Sequence, residues 1–97
     1  MANAIVGLCT LDLVLHDVGS LKEKRRILQS LLKRVQNQFN ASAAEIDYHD
    51  LWGSARIAVA VVSNSSGHAS QMIDAIIRWI ERNYSELEIG AEQIEIL

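Results

Sequence analysis

An α+β fold class follows from three features of this 97-residue chain. Apolar residues alternate along residues 5–16, the pattern of a half-buried strand. They recur at helical spacing from Leu21 to about Phe39, and again from Ala69 to Ile80. Residues 41–48, residues 55–63 and a C-terminal stretch have strand character and lie between or after those helices. The order is therefore βαββαβ. It predicts a ferredoxin-like sandwich, a four-stranded antiparallel sheet with two helices on one face, spanning residues 1–97 as one domain.

In the first strand Ile5, Gly7, Cys9, Leu11, Leu13 and Leu15 share one face, while Thr10, Asp12 and His16 fall on the other. Asp17-Val18-Gly19 is a short turn. Ser20 with Glu23 three residues on is a capping box, so a helix begins at Leu21. On a helical wheel Leu21, Leu28, Leu31, Leu32, Val35 and Phe39 fall on one side. Lys22, Arg26 and Lys33 line up opposite. Lys24 is the misfit: it projects within the apolar arc, and its long stem is expected to carry the charge out past the helix end.

The second strand is the more polar, and the third is rich in β-branched residues. His49-Asp50-Leu51-Trp52-Gly53 joins them as a turn. Asn64-Ser65-Ser66-Gly67 offers caps for the second helix, whose buried stripe is Ala69, Met72, Ile73, Ile76, Ile77 and Ile80. Asp74 and Arg78 are spaced to pair on its wet face. The last strand runs whole or as two pieces, 87–89 and 94–97, with Gly90 as a bulge. The second sheet face has no helix to cover it, so a homodimer that covers it or pairs an edge strand is expected.

About half the residues are apolar and 22% are charged, ordinary for a globular protein. The longest apolar run, residues 57–62, is far too short for a bilayer, and Met1-Ala2-Asn3-Ala4 does not resemble a secretory leader. Cys9 is the lone cysteine, which excludes an internal disulfide. A cytoplasmic location with no membrane contact is the expectation. The net charge of −3 argues against a general nucleic-acid coat protein. The average hides a segregation. Six of nine basic residues lie between Lys22 and Arg34 with only Glu23 against them, while Glu86, Glu88, Glu92 and Glu95 crowd the last strand.

Lys22, Lys24, Arg25 and Arg26 sit at a helix start, where the dipole disfavours each cation by roughly 0.3–1 kcal/mol at low salt. An anion there would offset that cost. In the predicted topology the end of strand 1, the start of helix 1 and the strand 2–3 hairpin share one end of the molecule. That end collects His16, Asp17, Lys22, Lys24, Arg25, Arg26, His49, Asp50 and Trp52. His68, at the second helix start, lies at the other.

Three motifs carry a family resemblance: Ser-Leu-Lys-Glu-Lys-Arg-Arg at 20–26, Ala-Glu-Ile-Asp-Tyr-His-Asp-Leu-Trp at 44–52 and Ala-Val-Val-Ser-Asn at 60–64. Together they resemble the YlxP-like family, a bacterial domain of unknown function, along essentially the whole chain. The resemblance implies a small ferredoxin-like protein. Genes of that family often neighbour translation-initiation and ribosome-maturation genes, which implies RNA or the ribosomal subunit as a partner. It implies no catalytic residues. Where the family often has a His before the acidic residue of the middle motif, Tyr48 and then His49 stand here, which argues against His-specific chemistry at the hairpin.

Each sharp reading has a plainer rival. The basic helix start is an anion or RNA contact, or a solvated face. Trp52 stacks on a base, or folds back on the core or a dimer contact, the more common outcome. His16-Asp17 and His49-Asp50 lack metal-ligand spacing, and their aspartates are expected to pair with Arg or Lys or to cap turns. No phosphate loop, dinucleotide fingerprint, nucleophile elbow or Cys-x-x-Cys is present. Strands 1 and 3 carry no aromatic, so the sheet face is not an RNA stacking platform.

The expectation is a noncatalytic RNA- or ribosome-associated protein without cofactor or metal, contacting its partner through Lys22, Lys24, Arg25, Arg26, Lys33, His49 and Trp52. The alternative is a dimeric sensor binding a small anionic metabolite at the same place.

Overall fold

Alternation in the first strand is what seats the sheet on its helices. In the computed structural model, which describes residues 3–97, Gly7, Cys9, Leu11, Leu13 and Leu15 of β1 (Ile5–Leu15) are buried. Met1 and Ala2, part of the segment read above for a leader, lie outside the described residues. The remaining elements are α1 (Leu21–Phe39), β2 (Ser42–Asp47), β3 (Ser54–Ser63), α2 (Ser66–Asn83) and β4 (Leu87–Ile96). The strands form one antiparallel sheet in the order β2-β3-β1-β4. Both the predicted βαββαβ order and the ferredoxin-like sandwich are observed.

The core lies between the sheet and the helices. β3 supplies Ala55, Ile57, Val59 and Val61, α1 supplies Leu28, Leu31 and Val35, and α2 supplies Ala69, Ile73, Ile76, Ile77, Trp79 and Ile80. At about 25 cal/mol per Å2 of apolar surface removed from water, this layer dominates the favourable side of folding. α2 rests directly on β1 at Gly7. A Cβ built there would stand 2.9 Å from Ile73 Cδ1 and 3.0 Å from Val61 Cγ2, so the absence of a side chain admits the helix.

Ser20 caps α1, its Oγ accepting the Glu23 N–H at 3.1 Å. The return bond of the capping box lands one residue early: Glu23 Oε2 accepts from the Gly19 N–H at 3.3 Å. Asn40 ends α1 in the left-handed region at φ 49. Ser65 caps α2 through the His68 N–H. β4 is one strand rather than two pieces. Its register against β1 shifts between Leu11 and Leu13, which leaves Gly90 and Ala91 as the expected bulge. A second register shift, between Glu45 and Asp47 in β2, was not expected.

Asp74 and Arg78 do not form their predicted ion pair; Arg78 Nε instead donates to the Asp74 carbonyl at 3.4 Å. Trp79 and Tyr84, absent from the predicted stripe, are both buried. Trp79 meets Phe39 of α1 edge-on at 5.9 Å and Tyr84 edge-on at 5.8 Å. The sheet face away from the helices is covered by no element of the described chain. Val14, Ile46 and Val62 are exposed there.

Candidate functional site

The six basic residues of α1 have three different fates. Lys24 is buried, 1% exposed, on the stripe it shares with Leu28, Leu31 and Val35. Its Nζ donates to the Tyr48 and Leu51 carbonyls, each at 2.6 Å, and lies 2.9 Å from Glu45 Oε2. The ammonium thus has two hydrogen-bond acceptors and one close carboxylate around it. The Glu45 contact departs from hydrogen-bond angles, so it acts chiefly through charge. Lys24 does not reach past the helix end, and it is withdrawn from the expected anion-binding set. Loop carbonyls and one carboxylate meet its charge inside the molecule, where an unpaired ammonium would cost several kcal/mol.

Arg34 remains exposed but lies across two aromatic rings. Its guanidinium lies 4.8 Å from the Trp79 ring centroid and 5.4 Å from that of Tyr84, and Nη1 donates to the Tyr84 hydroxyl at 3.0 Å. Lys22, Arg25, Arg26 and Lys33 are exposed. Among the described residues none of the four has an ion-pair or side-chain hydrogen-bond partner. At 3.6 residues per turn they fall within an arc of about 100° on α1 and extend along about 16 Å of it. Lys33 therefore continues a row instead of sitting at the helix start.

The 48–53 loop is tied to the buried side of α1 through Lys24. Tyr48 adopts φ 64, an uncommon left-handed conformation for a bulky residue. Its carbonyl accepts both the Lys24 ammonium and the Leu51 N–H, the latter at 3.0 Å. Leu15 N–H donates to the Gly53 carbonyl and His16 N–H to the Glu86 carbonyl, which locks the end of β1 between the hairpin and the start of β4. The predicted convergence at this end is observed. Trp52 is 53% exposed and Leu51 52%, so Trp52 is not folded back on the core. His49 and Asp50 are exposed at the loop, and among the described residues neither Asp50 nor Asp17 has the expected ion pair. Asp17 instead takes a left-handed turn position at φ 58. His16 Nε2 faces Glu88 across 3.8 Å.

Two arrangements escaped the sequence reading. On the open sheet face Arg56 Nε and Nη2 reach the two Asp12 oxygens at 2.6 and 3.2 Å, and Nη2 also donates to the Tyr48 hydroxyl at 2.7 Å. The Arg56 hydrogen bond holds the Asp12 carboxyl below the ordinary carboxylate range, and the same bond raises Arg56. Period 2 places Asp12 and Arg56 on one face, but their cross-strand register was needed to pair them. The pair borders a hollow of about 580 Å3 lined by Thr10, Ile46 and Gln93. Its guanidinium is neutralised, so the hollow offers no free cation to an anionic ligand.

The second is Ser63 Oγ, 3.0 Å from His68 Nδ1. This resembles a nucleophile–base couple, but Ser63 Oγ also accepts the Ser65 N–H at 3.2 Å and no carboxylate orients the ring. It serves as a capping turn. Among the described residues no three His, Cys, Asp or Glu side chains converge in metal-binding geometry. Burial pushes the Cys9 thiol up to about 11, so it is a neutral core residue and not a nucleophile.

A family model described as a protein of unknown function, DUF503, matches residues 6–94. The chain belongs to the DUF503 family. An uncharacterised protein of Bacillus subtilis, YlxP, is 36% identical over 84 residues, covering 87% of this chain and 90% of that one. The resemblance to a YlxP-like family of unknown function is thereby shown. Among solved structures, the de novo designed protein Foldit4 has a TM-score of 0.56 at 13% identity over 98% of this chain and 97% of that one. A designed protein with a ferredoxin fold, LFR1 1, has a TM-score of 0.45 at 18% identity over 96% and 82%. The likeness to Foldit4, at such identity, speaks to fold alone. No helix among the described residues of this DUF503 chain is long and apolar enough to cross a membrane.

Proposed function

We propose that this DUF503 protein is a noncatalytic RNA-binding protein of the cytoplasm, holding phosphates along the exposed face of α1. The row of Lys22, Arg25, Arg26 and Lys33 carries the reading, because it combines four unpaired cations with a net charge of −3. An ordinary solvated helix intersperses acids with bases on its wet face, and this one does not. The row suits a polyanion better than a small metabolite. It lies along a helix face, and none of the four cations lines the hollow beside Asp12 and Arg56. The gene neighbourhood implied by the family resemblance points the same way, towards ribosomal RNA.

The test is fluorescence anisotropy with labelled, structured ribosomal RNA fragments across a range of salt concentrations. Binding should weaken as salt rises, since each neutralised phosphate releases counterions. Reversing Lys22, Arg25 and Arg26 together to Glu should weaken binding and flatten the logarithmic salt slope by about two to three units. An unchanged slope, or no binding by the native protein at physiological salt, would overturn the reading. A rise in melting temperature with a small phosphate ester, absent any RNA effect, would favour the metabolite sensor instead.

A further inference from the structure

Lys24 is the residue whose placement the RNA reading leaves unexplained. It is the one charged side chain in the core of the described chain; it donates to two carbonyls of the β2–β3 connection and faces the Glu45 carboxylate of β2. Two of its partners are backbone carbonyls at either end of the 48–51 turn, at 2.6 Å each. The turn also keeps a bulky residue, Tyr48, at φ 64. A loop held this firmly nevertheless exposes its two largest apolar side chains, Leu51 and Trp52.

We propose that Lys24 is a positioning residue, which clamps the 48–51 turn so that Leu51 and Trp52 form a rigid apolar platform for an unpaired RNA base. This rests on the RNA-binding reading above and narrows it to looped or single-stranded segments. The clamp fixes the platform to the same turn of α1 that carries Lys22, Arg25 and Arg26, whose side chains are exposed to solvent. Phosphates along the row and a base on Trp52 are the two halves of single-strand recognition: charge tracks the backbone, and an aromatic takes a splayed-out base. A paired duplex would use the row and leave the platform empty. Preorganisation matters because a mobile indole would lose, on ordering, much of what stacking contributes.

The experiment compares a stem–loop RNA with a blunt duplex of the same stem, for the native protein and two variants. Trp52→Ala should weaken stem–loop binding about tenfold, leave duplex binding unchanged and leave the salt slope intact. Lys24→Met/Glu45→Leu removes both charges of the pair together, so that neither is left unpaired. It should reproduce the tenfold loss, speed hydrogen exchange at the Leu51 amide and move the Trp52 indole resonance towards its unfolded position, with the Trp79 resonance unmoved. Equal affinity of Trp52→Ala and native protein for the stem–loop would overturn the platform, even where the double variant fails to fold. Retained Leu51 protection and an unmoved Trp52 resonance in a folded double variant would overturn the clamp. Absence of any RNA binding by the native protein would sink the function and the platform together, while the exchange data would still decide the clamp.

Discussion

Lys24 shows what a single residue's spacing does and does not reveal. Its position four before Leu28 and seven before Leu31 put it on the buried stripe from the start. A stem able to snorkel made an exposed charge the natural expectation. The acceptors that keep it inside come from Glu45, Tyr48 and Leu51, more than twenty positions away, and two of them are backbone carbonyls that no residue pattern displays. Removing the ammonium alone leaves Glu45 as an uncompensated buried charge, a loss of about 3–5 kcal/mol. Cys9 is the opposite case, legible as a core residue from alternation alone. Its pKa of about 11 lies above the ordinary thiol value, so native Cys9 should not react with a thiol reagent at pH 8, whereas the denatured chain should react fully. The pH sense follows from the same shift. Between about 9 and about 11 the unfolded thiol loses its proton and the native one keeps it, so Cys9 erodes stability as pH rises through that window. Measured native reactivity equal to that of a free thiol would contradict the burial.

The elements were largely legible because their periods are strong. α1 and α2 begin where Ser20 and Ser65 cap them, and the bulge in β4 falls at Gly90 and Ala91. What periodicity missed depended on one element meeting another. Trp79 adjoins the α2 stripe and becomes buried because Phe39 of α1 and Tyr84 close over it. Arg34 lies against the same pair of rings, Trp79 and Tyr84. The contact of α2 with β1 at Gly7 makes a prediction on this scale. Gly7→Ala must displace the buried Ile73 Cδ1 and the stiff Val61, and should cost about 1–3 kcal/mol in chemical denaturation. In an Ile73→Val background, which removes Cδ1, the same change should cost measurably less. Equal costs in both backgrounds would show that the contact does not set the helix position.

For the whole molecule, one core joins every element, so the described chain should unfold as a unit. With Trp52→Phe the buried Trp79 becomes the sole indole, and its fluorescence should report the same urea midpoint as far-UV circular dichroism. Two separated midpoints would reveal a part that melts independently, with the 48–53 connection the first place to look. The charge segregation is also a property of this scale: acids gather on β4 and free bases on α1, in a protein of net charge −3. By itself the sequence determined the element order, the ferredoxin-like topology, most of the core and the meeting of the helix start with the hairpin, because hydrophobic periodicity and connection rules are local or nearly so. Only the tertiary structure decided which cations remain free. It turned Lys24 inward, laid Arg34 against Trp79 and Tyr84, left Lys22, Arg25, Arg26 and Lys33 unpaired in solvent, and held Trp52 outside the core. A charge's fate depends on acceptors and rings brought from distant positions, and residue spacing carries no record of them.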